Sequence, residues 1–123
     1  MTPEEPKPFD RLKLLAVHRR MCQQANEVMQ AKNADYAGHT GVQPFANFTR
    51  CENLNICRTE IGMLTRMCDK FSRLISFVNS GQLKVKDESI QDTCVDLINY
   101  SILLYAYLAQ QNGWETSDGE KVG

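Results

Sequence analysis

The stretch Cys94-Val95-Asp96-Leu97-Ile98-Asn99-Tyr100-Ser101-Ile102-Leu103-Leu104-Tyr105-Ala106-Tyr107-Leu108-Ala109 decides the fold class. It is apolar almost all the way round a helix. Such a helix is covered on most sides, either centrally in a bundle or at a subunit interface. Upstream, Asp87 is a good N-cap, and downstream Gly113 is a natural stop, which predicts a long helix from about Asp87 to Gln111. The most apolar run, Ser101 to Ala109, is far short of the ~20 residues that cross a bilayer.

Working outward, Ile61, Leu64, Cys68, Phe71, Ile75 and Val78 keep a 3-4-3-4-3 spacing. That spacing predicts a second long helix, from about Arg58 or Thr59 to Asn79, with a buried stripe and an end at Ser80-Gly81. Leu14, Val17, Met21, Ala25 and Val28 predict another, from Phe9 or Asp10 to Lys32, with Asp10 as N-cap. The turn formers from Asn33 to Gly41 break that period. Pro44 to Asn53 reads either as a short helix or as an ordered loop. With 123 residues, 42% of them hydrophobic, the chain forms one domain with a core of its own. The expectation is all-α: an antiparallel bundle of three long helices plus a short one over residues 9–113, between flexible segments 1–8 and 114–123. Three helices cover the apolar last helix only in part, so a homo-oligomer is expected to complete it.

Lys and Arg total 14 against 15 Asp and Glu, a net charge of −1, which argues against a dedicated nucleic-acid surface. Five cysteines without a Cys-x-x-Cys pair, and only two histidines, fit neither a disulfide scaffold nor a zinc ribbon. A reduced, cytoplasmic compartment fits them better, and the acidic, proline-rich start carries no secretion signal.

The chemistry centres on Glu88, Asp92, Asp96 and Asn99, which share one narrow helical stripe that continues into Leu103 and Ala106. Carboxylates at i,i+4 repel, and carboxylates entering an apolar face need compensation. Either a divalent cation or a set of basic side chains can supply it. The cation is the sharper reading, because carboxylate oxygens are the hard ligands that Mg²⁺ and Mn²⁺ prefer. Acids at a helix N-terminus, placed there for its dipole, account for Asp87 and Glu88 but not for Asp96. Glu60 lies on the apolar stripe of the preceding helix. An antiparallel register brings Lys70 and Arg73 toward Glu88, and Glu60 toward Asn99. Arg66, Lys70 and Arg73 read as phosphate ligands, or with Asp69 as a solvated face of ion pairs. Lys32, Asp35 and Tyr36 read as a base or sugar grip, or as a helix-ending turn. Met21, Met29, Met63, Met67 and the cysteines read as core filler.

Four blocks together resemble a known family. They are Lys32-Asn33-Ala34-Asp35-Tyr36-Ala37-Gly38, Asn47-Phe48, Arg66-Met67-Cys68-Asp69-Lys70-Phe71-Ser72-Arg73-Leu74 and the acidic block Asp87 to Tyr100. The family is the phage-associated nucleotide modification associated domain, itself similar to the MazG-like all-α nucleoside triphosphate pyrophosphohydrolases. The resemblance implies a helical, Mg²⁺-dependent fold that binds nucleotides or deoxynucleotides and assembles as a dimer or tetramer. In MazG-like enzymes a Glu-Glu-x-x-Glu motif and a Glu-x-x-Asp motif on consecutive helices hold the metal. Here Thr59-Glu60-Ile61-Gly62-Met63 keeps one glutamate of three, and Glu88-Ser89-Ile90-Gln91-Asp92 is one residue longer.

The resulting expectation is a pyrophosphohydrolase that releases a monophosphate and pyrophosphate, using Mg²⁺ (or Mn²⁺) held by Glu60, Glu88, Asp92 and Asp96. Glu60, Glu88 and Asp92 form its catalytic set, with Glu60 as general base. Arg66, Lys70 and Arg73 hold phosphates, and Lys32, Asp35 and Tyr36 contact base or sugar. A phage-encoded chain of this kind works in the host cytoplasm. The reduced glutamate motif favours an alternative, a non-catalytic protein that binds or sequesters nucleotides. A helical interaction module without a ligand is the third reading.

Overall fold

The computed structural model describes residues 8–36, 44–80 and 88–115, with side chains described for all of these except 33–36 and 88. The segment 1–7, the loop 37–43 with His39, the Gly81 stop, the Asp87 cap and the tail 116–123 lie outside the described residues. Every regular element among the described residues is an α-helix: α1 Arg11–Tyr36, α2 Ala46–Asn53, α3 Thr59–Asn79 and α4 Glu88–Asn112. Three are long, as the periodicity predicts, and the fourth, α2, is short. No described helix is long and apolar enough to cross a membrane.

Local chemistry sets the ends. Asp10 caps α1, its carboxylate accepting from the Lys13 amide at 2.8 Å. The helix runs past the expected break at Lys32 to Tyr36, because Asn, Ala and Asp are all tolerated in a last turn and the glycines come later. The ambiguous stretch after Pro44 resolves into α2. Asn55 closes it in the left-handed region (φ 60°), with the Ile56 amide on Cys51 O and the Asn55 amide on Glu52 O. That is the double-bonded stop that glycine normally provides. Helix α3 has no side-chain cap from its own N-cap residue Arg58. Instead Glu52 accepts from the Thr59 amide at 3.3 Å, so α2 caps α3. Gly113 (φ 66°) ends α4, and the Trp114 amide returns to Ala109 O at 3.0 Å. Trp114 also lies against Tyr105, ring centroids 6.1 Å apart. Trp114 is therefore placed against α4, and the rest of the expected flexible tail, 116–123, lies outside the described residues.

Helices α3 and α4 are antiparallel: Met63 packs with Tyr107 at one end, and Phe77 shares a groove with Ile90 at the other. The C-terminal half of α1 lies on α4, where Gln91 donates to Gln24 at 2.6 Å. The buried Asn99 amide donates to Ala25 O at 3.0 Å in the same interface. Helix α2 drops Phe48 onto Met63 and Tyr107, and its ring meets Tyr100 edge-on at 6.1 Å. The ring packs beside Gly62, where even a Cβ would stand at an ordinary contact distance of 3.6 Å.

The expected stripe of α3 is not the buried one. Phe71, Ile75 and Val78 are more than half exposed, and Ile61 and Leu64 are 37% and 43% exposed. The face turned to α4 is one residue over and carries Met63, Met67, Lys70, Leu74 and Phe77, all buried or half-buried. Two parallel 3-4 patterns stand about 100° apart on one helix, and a single chain covers only one of them. On α1, Leu14 and Leu15 are likewise exposed, because α4 reaches only the later turns. No cysteine is buried: Cys22 and Cys68 are exposed, and Cys51, Cys57 and Cys94 are intermediate. Of the four methionines expected in the core only Met63 is fully buried, the others being half-buried.

Candidate functional site

Three helices meet at Asp96. Its Oδ2 accepts from Lys70 of α3 at 3.0 Å, and its Oδ1 from Lys32 of α1 at 3.3 Å. Burial pushes the Asp96 carboxyl upward. The Lys70 hydrogen bond and the charges of both lysines outweigh it and hold the pKa below the ordinary aspartate range. Two ammonium groups on one carboxylate leave the cluster with a net positive charge. Lys70 is mostly covered, at 15% side-chain exposure, whereas Lys32 is 45% exposed and reaches solvent.

A narrow recess with a cavity volume of about 40 Å³ begins beside this cluster and runs between α1, α2 and α4. Met29, Phe48, Tyr100 and Leu103 form its apolar wall, and Lys32, Asp96, Asn47 and Asn99 supply its polar groups. It is an apolar cup with aromatic edges, two amides and one ion pair, Lys32 with Asp96, at its side. Periodicity alone does not mark this wall, although Asn47-Phe48 and Tyr100 fall within the blocks that carry the resemblance. Asn47 and Phe48 sit on an eight-residue helix too short for periodicity to expose, and Tyr100 and Leu103 are masked by the general apolarity of α4.

The structure distributes the expected site residues unevenly. Asp96, Lys70 and Lys32 come together, and Lys32 meets Asp96 rather than standing apart at a helix end. Asp92 is exposed and lines a shallow recess with Val28, Lys32, Val95 and Asp96. The Glu88 side chain lies outside those described. Glu60 is not brought to these acids. It pairs with Arg58 at 3.8 Å and precedes Lys70 by ten positions, about 15 Å of helix rise. The α3–α4 register puts it beyond Tyr107, not opposite Asn99. Among the described residues no three His, Cys, Asp or Glu groups converge as a metal cage would require.

The basic residues also part company. Arg73 opens onto a groove with Ser76, Phe77, Ile90 and Thr93. Arg66 opens onto another with Asp69, Cys51 and Cys57. Both arginines are exposed. The side chains of Asp35 and Tyr36 are outside those described, although both residues belong to the last turn of α1. One thiol has an unexpected neighbour: Cys22 Sγ lies 3.9 Å from the ring of His18, one turn away on the exposed face of α1. Comparison with protein-family models, with curated proteins and with solved structures finds no match.

Proposed function

We propose that the chain binds nucleotides in the recess between α1, α2 and α4. The base lies among Phe48, Tyr100, Leu103 and Met29, and the phosphates lie on Lys32 and Lys70. The observation that carries this reading is the Lys32–Asp96–Lys70 cluster. Two cations meet on one partly buried carboxylate beside an apolar, aromatic-walled recess, with the exposed Asp92 lining the adjoining recess. A phosphate group offers those ammonium ions more charge than Asp96 does. The resemblance of the acidic and basic blocks to nucleotide-handling proteins supports the same reading, as does a set of five free cysteines suited to the cytoplasm.

A second reading keeps the pyrophosphohydrolase. It is favoured by the shared recess of Asp92 and Asp96 and by Glu88 one turn earlier on α4. There Mg²⁺ or Mn²⁺ would be held by the α4 acids, and Glu60 would belong to the site only after rearrangement. When bound, such an ion would offset charge on the leaving pyrophosphate. Assembly with further copies of the chain belongs to either reading.

One titration separates the two readings. Thermal stability is followed against dATP, dGTP, dCTP, dTTP and their ribose counterparts, with and without Mg²⁺, while pyrophosphate is assayed in parallel. Stabilisation without metal and without pyrophosphate release supports the binder. Pyrophosphate release that requires the metal supports the hydrolase. No stabilisation by any nucleotide removes both.

A further inference from the structure

We propose that His18 and Cys22, one turn apart on the exposed face of α1, form a two-donor clip for a thiophilic divalent ion of the zinc class. The clip is separate from the Asp96 cluster, because Lys32 lies ten positions beyond Cys22, about 15 Å of helix rise. The inference does not depend on the nucleotide reading. Both side chains are exposed, and the Cys22 Sγ lies 3.9 Å from each ring nitrogen of His18. A tetrahedral Zn²⁺, at about 2.3 Å from sulfur and 2.0–2.1 Å from imidazole nitrogen, holds those two ligands roughly 3.6 Å apart. The pair is therefore within a few tenths of an ångström of the spacing a shared ion needs. A turn of the imidazole aims one nitrogen at the ion, and the broad χ2 torsion of histidine makes that turn easy. The helix does the remaining positioning, since side chains at i and i+4 share one face.

The donor set selects the ion. Thiolate and imidazole favour zinc, cobalt and softer ions, whereas Mg²⁺ and Ca²⁺ take carboxylate, carbonyl and water oxygens. The nearest side-chain oxygens on α1 are engaged elsewhere. Asn26, one turn past Cys22, accepts from Gln30, and Glu27 accepts from Gln23. The chain therefore gives two donors, and water fills the other two tetrahedral positions. Such an ion is held at the surface with exchangeable ligands, unlike one in a closed structural site of four protein donors. Binding forms one metal–sulfur and one metal–nitrogen bond, the thiol proton passes to solvent, and no electron moves. The sequence marks the same pair: of the five cysteines, only Cys22 has a histidine one helical turn away.

The test titrates the full chain, reduced with a phosphine and stripped of metal, with Co²⁺ at near-neutral pH. A near-ultraviolet thiolate-to-cobalt charge-transfer band is expected, saturating at one ion per chain. Zn²⁺ displaces the band, and excess Mg²⁺ does not. Cys22→Ser removes it, and His18→Ala raises the apparent Co²⁺ dissociation constant at least tenfold. Both positions are exposed, so the helical circular dichroism of these variants stays unchanged. Cys68→Ser, which removes the other exposed thiol, leaves the titration as it was. A chain without the band overturns the inference, as does a band that survives Cys22→Ser or that Cys68→Ser removes. Unchanged affinity in His18→Ala takes the imidazole out of the site and overturns the clip. Saturation at half an ion per chain overturns water as the remaining ligand.

Discussion

The Lys70 ammonium donates to Asp96 Oδ2 at 3.0 Å across 26 positions of sequence, and this contact joins the middle of α3 to the first half of α4. Lys32 adds α1 to the same carboxylate. A charged group at 18% side-chain exposure is tolerated there because its two partners supply hydrogen bonds as well as charge.

Asp96→Asn therefore destabilises the fold by about 1–2 kcal/mol at pH 7, a value reduced from a fully buried pair by partial solvent access. The sign with pH follows from the lowered pKa. The contribution is fully present above the ordinary aspartate value near 3.9. It is lost as pH falls through the lower folded value. Urea unfolding of both proteins at pH 7, 5 and 3 should show a gap that holds at the first two and narrows at the third.

Lys70→Met keeps the bulk of a mostly covered side chain and removes its charge. If the recess takes nucleotide phosphates, affinity falls about tenfold, as expected for one charge-assisted hydrogen bond, and Lys32→Met falls similarly. Isothermal titration with a triphosphate and with its nucleoside tests this. Both variants should weaken the triphosphate much more than the nucleoside. An equal loss for the two would place the phosphates elsewhere.

Asn99 is buried, and its amide donates to a carbonyl inside α1. Asn99→Ala removes that bond and leaves a small void, costing about 1–3 kcal/mol. The α1–α4 contact should loosen first. Hydrogen exchange should speed up in residues 21–32 while the α3–α4 hairpin stays protected.

Thr59 is fully buried, and its hydroxyl has no hydrogen-bond partner among the described residues. Thr59→Val keeps the shape and removes the stranded polar atom, so it stabilises by about 1 kcal/mol. A rise in melting temperature of several degrees, with the helical spectrum unchanged, is the expected readout.

Much of this was legible in the residues. Thr59 to Asn79 emerged as a helix because apolar spacing and the Ser80-Gly81 punctuation agree there. The demand for compensation at Asp96 was also readable, since a carboxylate entering an apolar stripe has to be answered. Which answer the chain uses was not readable, because Lys32 and Lys70 reach Asp96 from 64 and 26 positions away. The buried side of α3 was misread for a related reason. Met63, Met67, Lys70, Leu74 and Phe77 repeat just as Ile61, Leu64, Cys68, Phe71, Ile75 and Val78 do, and the second set is the more hydrophobic. Periodicity finds a face but does not say which neighbour takes it. The resemblance favoured Glu60 as a metal ligand, and only the α3–α4 register shows how far it stands from the acids of α4.

The junction at Asp96 is a fastener, and under the proposed nucleotide reading it is a lure as well. An anionic guest that draws Lys32 and Lys70 toward itself relaxes the clasp that holds α1 and α3 against α4. Occupancy and helix packing then draw on the same two cations. The free chain is fastened by its own aspartate, and under the proposed nucleotide reading a loaded chain would be fastened partly by its cargo.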